Sequence, residues 1–219
     1  MERTVYDRIK GESPGSAGDE TRFHPTKGVT ENMTELELRK KASEIAGQFR
    51  DRTISDQDIL VQIREIPELV HTKCLSGSNL FLDAVLGDRF SVAMALSEMG
   101  ADIHWTNEAS MIHGNALNVA HTPWQAEQLL ALGVEIERNL LLSKSIENPA
   151  IVAAEHNNAP MLLYWLAKQK ELFADDPDYL RRLFCAAIDM ASIINQSNML
   201  SCIIAEDELF PVLKDIYSK

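Results

Sequence analysis

The chain has 219 residues, 45% hydrophobic, 25% charged and 6% aromatic, with a net charge of −12. That composition fits one elongated soluble domain, or two at most. An acidic body repels phosphate backbones, which excludes nucleic acid as a partner class and favours a protein with a basic surface.

Residues 1–33 carry Gly11, Pro14, Gly15, Gly18, Pro25 and Gly28 among serines, threonines and mixed charge. Acid and base balance over the first thirty residues, so the acidic excess begins after Val29. So few apolar side chains do not offset the entropy of ordering the segment, and a disordered leader is expected over 1–33. It lacks the apolar stretch of a cleaved secretory signal. A helical cap is expected over 34–77. Thr34 and Glu37 have the spacing of a capping box, with Leu38, Ala42, Ile45, Ala46 and Phe49 following at helical intervals. Arg50-Asp51-Arg52 closes that helix. Ser55 or Asp56 opens a second, with Ile59, Leu60, Ile63 and Ile66 on one face, and Pro67 ends it or begins a tight turn.

From Ser78 the chain repeats itself. Ala84, Ala120 and Ala153 stand 36 and 33 residues apart, and five residues before each is an asparagine: Asn79, Asn115 and Asn148. Asparagine caps helices well, and Pro149 suits the first helical position. Gly100 follows Ala84 by 16 residues, whereas Gly133 follows Ala120 by only 13. In the shorter copy, Thr122, Pro123 and Gln125 make a second capping box. The loops from Gly100 to Asn115 and from Gly133 to Asn148 are 15 residues each. A period in this range marks stacked two-helix units. Over 78–219 such repeats are expected to end in capping helices: one begun by Asp176-Pro177 with Leu180, Leu183, Phe184, Ala187, Ile188 and Ala191 on one face, then Asn198–Ile204 and Phe210–Tyr217.

These copies resemble ankyrin repeats. The family pattern Thr-Pro-Leu-His-x-Ala is echoed by Asn79-Leu80-Phe81-Leu82-Asp83-Ala84, Asn115-Ala116-Leu117-Asn118-Val119-Ala120 and Asn148-Pro149-Ala150-Ile151-Val152-Ala153. The second-helix ending is echoed by Leu96-Ser97-Glu98-Met99-Gly100-Ala101-Asp102-Ile103 and by Leu129-Leu130-Ala131-Leu132-Gly133-Val134-Glu135-Ile136. Asp88 and Asn157 stand where the family has a glycine between its two helices; asparagine tolerates the left-handed conformation that turn requires. The resemblance implies an all-α, ankyrin-like solenoid that binds protein partners through finger loops and the exposed sides of first helices. Carried onto this chain, it puts the contacts at Asp102, His104, Trp105, Thr106 and Asn107 of the first finger. The second finger supplies Glu135, Glu137, Arg138 and Asn139, and the first helices turn Asp83, Asn118 and Glu155 outward. Trp105 either meets a partner or folds back onto the helices, while Trp124 and Trp165 are expected to pack.

Residues 78–190 are also similar to the ankyrin-like region of type III secretion effectors from enteric bacterial pathogens. The shortened turn at His121–Leu130 and the run from Asn148 to Gln169 carry that similarity. It implies a secreted effector or a regulator of type III secretion, present in the bacterial cytoplasm before export and then in the host cell. It also implies a secretion chaperone that holds residues 1–33.

Chemistry-bearing clusters are sparse. Three cysteines without a Cys-x-x-Cys spacing, Cys74, Cys185 and Cys202, favour free thiols in a reducing compartment. His71 and Cys74 lie three apart, but no third, orienting group accompanies them. His113 and His121 lack companions at metal-ligand spacing, and no phosphate-binding glycine loop occurs. No membrane span, catalytic site, metal or cofactor is expected. Two alternatives to a protein-binding module are a cysteine-dependent enzyme using Cys74 or Cys185 and an acidic immunity or inhibitor protein that plugs a basic toxin.

Overall fold

A computed structural model describes residues 33–106, 114–138, 140 and 148–193. The leader (apart from Met33), Asn107, Asn139, Cys202 and the helices expected at 198–204 and 210–217 lie outside the described residues. The fold is all-α. Its helices are α1 Glu35–Gln48, α2 Asp56–Glu65, α3 Leu80–Leu86, α4 Phe90–Glu98, α5 Pro123–Ala131, α6 Pro149–Glu155, α7 Ala159–Leu172 and α8 Pro177–Ile193. A 3-10 turn over Pro67–His71 follows α2. Among the described residues nothing more extended than an isolated bridge forms, such as that between Lys73 and Asn79.

Every named helix but α4 begins where a short polar side chain satisfies one of its first amides. Thr34 Oγ1 accepts from the Glu37 amide at 3.3 Å while Glu37 accepts from the Thr34 amide at 2.8 Å, which completes the capping box. Thr122 and Gln125 repeat the device, with bonds of 3.2 and 3.3 Å. Ser55, Asn79, Asn148 and Asp176 accept from amides of α2, α3, α6 and α8. The endings repeat as well. Asp88 and Asn157 adopt φ of 54° and 56°, and the following amides, Arg89 and Asn158, reach back to the carbonyls of Ala84 and Ala153. Gly100 and Gly133 adopt φ of 89° and 95°, and the Ala101 and Val134 amides reach back to Leu96 and Leu129. Each is the six-to-one bond of a helix closed by a left-handed residue. Ala84 and Ala153, and likewise Leu96 and Leu129, therefore occupy equivalent hydrogen-bonding positions, whereas Ala120 follows a turn.

Packing follows chain order in two rows. In one, α1 lies on α3, His121 Nε2 meets the Leu86 carbonyl at 3.0 Å, residues 118–121 border α6, and α6 lies on α8. In the other, α2 lies on α4, the rings of Phe90 and Trp124 meet edge-on at 5.0 Å, and Glu127 of α5 bonds Tyr164 and Lys168 of α7. The pairs α3–α4 and α6–α7 join the rows. One contiguous apolar core runs through them, with Phe49, Phe81, Leu96, Leu129, Trp165 and Tyr179 fully buried.

The N-terminal helices are fastened to the first copy by Arg89. Its side chain is buried and donates from Nε to the Phe49 carbonyl (3.0 Å), from Nη1 to Asp56 Oδ1 (2.8 Å) and from Nη2 to the carbonyls of Ile54 (3.0 Å) and Asp51. Beside it, Gly87 approaches so closely that an added Cβ would stand 2.7 Å from Phe49 Cβ.

The second copy departs from the other two. Residues 116–119 form turns, so no first helix precedes α5. Its shortening has a physical cause: with three fewer residues between Ala120 and Gly133, the Thr122–Gln125 box starts the next helix before a full inner helix can be closed.

Candidate functional site

The loops after Gly100 and Gly133 are positioned by the asparagines that open the copies. Asn79 Oδ1 caps α3 through the Leu82 amide at 2.9 Å, while its Nδ2 donates to the Asp102 carbonyl at 2.8 Å. Asn115 does the same for the Leu117 amide and the Glu135 carbonyl, both at 2.9 Å. Asp102 and Glu135 each stand two residues after a left-handed glycine. Asn148 caps α6 through the Ala150 amide and donates backward to the Glu137 carbonyl at 2.8 Å. Residues 135–137 are thus held from both sides.

In the first finger, Asp102 and His104 are exposed. Asp102 Oδ1 accepts from the His104 amide at 3.0 Å, which fixes the turn from within. Trp105 is half-buried; its Nε1 donates to the Gly77 carbonyl at 3.0 Å, and the Lys73 ammonium lies 5.6 Å from its ring centroid. It therefore folds back and leaves a rigid base beneath two exposed polar side chains. Thr106 is half-buried, and Asn107 lies outside the described residues. In the second finger Glu135 is exposed and Glu137 half-buried. Arg138 is committed within the chain: it pairs with Asp176, and its guanidinium lies 4.7 and 4.3 Å from the ring centroids of Phe173 and Tyr179. The Tyr179 amide and the Arg138 guanidinium hold the Asp176 carboxyl below the usual range. Beneath it, Tyr179 OH, Gln169 and Asn148 form a buried polar triad with bonds of 2.6–3.0 Å.

Of the first-helix positions, Glu155 is exposed. Asn118 sits on the turn and accepts from the Asn115 amide at 3.0 Å, so it presents no helix face. Asp83 is half-buried, not turned free to solvent; it accepts from Ser78 Oγ at 2.5 Å. Burial pushes its carboxyl above the ordinary range, against the opposing pull of Ser78, Cys74 and Arg50. The adjoining Cys74 thiol is 1% exposed and is pushed up to about 12, first by burial and then by the neighbouring Asp83 charge. An attacking thiol needs the opposite environment. His71 faces elsewhere, with its Cε1 3.8 Å from where a Cβ on Gly100 would stand. Cys185 is half-buried on α8. Among the described residues no three His, Cys, Asp or Glu side chains are placed to hold a metal, and no helix is long and apolar enough to cross a membrane.

Two features escaped sequence reasoning. Trp165 is buried as expected, but Trp124 is 61% exposed, resting one edge on Phe90. The helical spacing of Ala126, Leu129 and Leu130 already marked the inward face of α5 and put Trp124 off it. The second is a cleft of about 170 Å³ between the second and third copies. It is bounded by Leu86, residues 118–121, and parts of α6 and α7. The chain matches no protein-family model and no curated protein.

Proposed function

We propose that the chain is a non-catalytic protein-binding module, a stack of ankyrin-like helix pairs that offers a preorganised finger to a partner with a basic surface. The carrying observation is the asparagine bracket. By tying the Asp102 carbonyl to the start of α3 and the Glu135 carbonyl to the turn at 116–119, Asn79 and Asn115 order the described first residues of each loop before any partner arrives, and binding then costs less entropy. Trp105, pinned by Gly77, stiffens the first finger further. The net charge of −12 supports a basic partner. The similarity to type III effectors adds a setting. The module would reside in the bacterial cytoplasm before export and in the host cell after it, with residues 1–33 as the segment a secretion chaperone holds.

The test compares partner recovery by the wild-type chain, an Asp102→Ala/His104→Ala variant and a Trp124→Ala variant. Those side chains are exposed, so the fold survives their loss. A partner recovered by wild type and lost with the Asp102/His104 variant supports the finger. Loss with Trp124→Ala alone moves the site to the start of α5, and equal recovery by all three refutes both surfaces.

A further inference from the structure

We propose that Asp83 is a proton-operated hold on the first finger, which seats Trp105 firmly when the carboxyl is protonated and loosens that seat when it ionises. This deepens the protein-binding proposal above, by giving its finger a control, and rests on it. Three consecutive residues join the finger to the body. The Gly77 carbonyl accepts from Trp105 Nε1 at 3.0 Å, and Asn79 Nδ2 donates to the Asp102 carbonyl at 2.8 Å. Between them, Ser78 Oγ donates to Asp83 Oδ2 at 2.5 Å. One carboxyl therefore holds the residue that lies between the finger's two anchors. The segment is also closed on itself. The Cys74 amide donates to the Ser78 carbonyl at 2.8 Å, the Gly77 amide to the Cys74 carbonyl at 3.0 Å, and the Ser76 and Ser78 hydroxyls meet at 2.8 Å. Ser43 Oγ of α1 accepts from the Leu75 amide at 2.8 Å. A turn bonded in this way opens as a unit, so a change at Ser78 reaches Gly77 and Asn79.

The surroundings of Asp83 make the proton matter. Its side chain is half-buried on α3, and the groups that act on it are the Ser78 hydroxyl, the Cys74 thiol and, least of all, the Arg50 charge. Cys74 stays protonated, with its thiol near 12. The charged groups of the elements packed against α3 are committed elsewhere. On α1, Lys41 pairs with Glu44, and Arg39 Nε is buried without a hydrogen-bond partner. At the start of α4, Arg89 binds Asp56 and the carbonyls around α1 and α2, while Glu98 at the far end is exposed. Asp88 bonds Arg52 and Gln125, His71 faces Gly100, and His121 bonds the Leu86 carbonyl. Burial therefore outweighs the attraction of its partners and raises the Asp83 carboxyl above its ordinary range. The closed segment binds the proton more tightly than an opened one. Its extra hold is complete below the ordinary carboxylate range and is lost as pH rises through the folded midpoint.

Solvent exchange of the Trp105 indole proton, followed by NMR on the full chain from about pH 3.5 to 7, reads the seat without any partner. Dividing the rate by that of N-acetyltryptophanamide at the same pH gives the protection. Protection of Trp105 is expected to fall as pH rises, by at most about tenfold for each unit by which the Asp83 midpoint exceeds its ordinary value. Trp165, buried on α7, is the reference for global opening and should not follow. Asp83→Asn keeps an acceptor for Ser78 and removes the titration, so Trp105 protection should become flat with pH. His71, His104 and Asp102 still titrate in that variant, which separates their effects from that of Asp83. Ser78→Ala cuts the link instead and should leave protection low and flat; it serves if Asp83→Asn fails to fold. Flat protection in the wild type, or an equal fall in Asp83→Asn, overturns the proposal. An equal fall at Trp165 overturns it too, because the opening is then global. A flat Trp105 response with partner recovery still dependent on Asp102 and His104 sinks the switch alone. Recovery unaffected by every surface variant sinks the protein-binding reading, whatever Trp105 does.

Discussion

Replacing Arg89 with methionine should cost more stability than any exposed substitution in the chain. Methionine keeps most of the apolar stem and removes the guanidinium, and therefore all four hydrogen-bond acceptors lose their donor. Three of those acceptors are backbone carbonyls, of Phe49, Asp51 and Ile54. No side-chain change removes them, and the chain between α1 and α2 must either leave them unpaired or open to admit water. The fourth, Asp56, keeps 33% side-chain exposure, so it rehydrates and contributes less than a fully buried carboxylate would. Breaking a buried, hydrogen-bonded charge costs about 3–5 kcal/mol, and the partial exposure of Asp56 places Arg89→Met near the lower end, about 3 kcal/mol. Domains of this size carry about 5–15 kcal/mol in total, so the loss is a large share. Arg89→Lys should recover little, because one ammonium cannot span four acceptors set in a planar fork. Urea unfolding gives the answer through the midpoint, with the slope unchanged. Both variants costing under about 1 kcal/mol, within the range of exposed substitutions, would refute the clamp.

Three further outcomes follow from local geometry. Asn157 sits at φ 56°, so Asn157→Ala should cost about 1 kcal/mol and Asn157→Gly close to nothing, read from the same urea midpoints. Asp83 has a carboxyl raised by burial, so the folded state holds that proton more tightly than the unfolded one. The associated stability is present below the ordinary carboxylate range and is lost as pH rises through the folded value. Asp83→Asn keeps an acceptor for Ser78 Oγ and should stabilise at neutral pH, with the gain vanishing in acid; a gain independent of pH would contradict the assignment. Cys74, with its thiol near 12 and 1% exposed, should resist maleimide at neutral pH until denaturant is added. Rapid labelling in the native state would revive the nucleophile alternative.

Much of the helical fold was legible because its signals are local. Thr34 with Glu37 and Thr122 with Gln125 announce helix starts through bonds only three residues long, and the structure forms both boxes. The left-handed turns at Asp88 and Asn157 were legible for the same reason: a turn that reverses one helix into the next needs one residue with positive φ, and the alignment set Asp88 and Asn157 at the position of the family's glycine. The first helix of the second copy was not legible. Asn115 through Ala120 has the composition of its counterparts, and helix loss there depends on competition with the strong start at Thr122, which a motif comparison does not weigh.

Arg89 was illegible for a different reason. Nothing in its own neighbourhood names its acceptors, which lie 33 to 40 residues earlier on a different pair of helices. Asp83 was read as outward because its repeat position is outward in the general pattern, and the structure half-buries it against Ser78. Arg138 was read as a finger-loop contact; it is exposed, yet it pairs with Asp176 and lies against two aromatic rings. The asparagines at the copy starts show how the two kinds of information combine. Their bond to a nearby amide is local and was readable from spacing, although it caps a helix at Asn79 and Asn148 and only holds a turn at Asn115. Their second bond, from Nδ2 to a carbonyl 23 or 20 residues ahead in the first two copies, is tertiary and was not. Yet the two bonds are inseparable: an amide whose oxygen is fixed by a helix amide has its nitrogen aimed in one direction. Once Asn79 caps α3 and Asn115 holds the Leu117 amide of the turn, the residues just after Gly100 and Gly133 have a donor waiting at a set position. A serine at either site would accept from the same amide and fasten no distant carbonyl, which is the physical reason for asparagine at both.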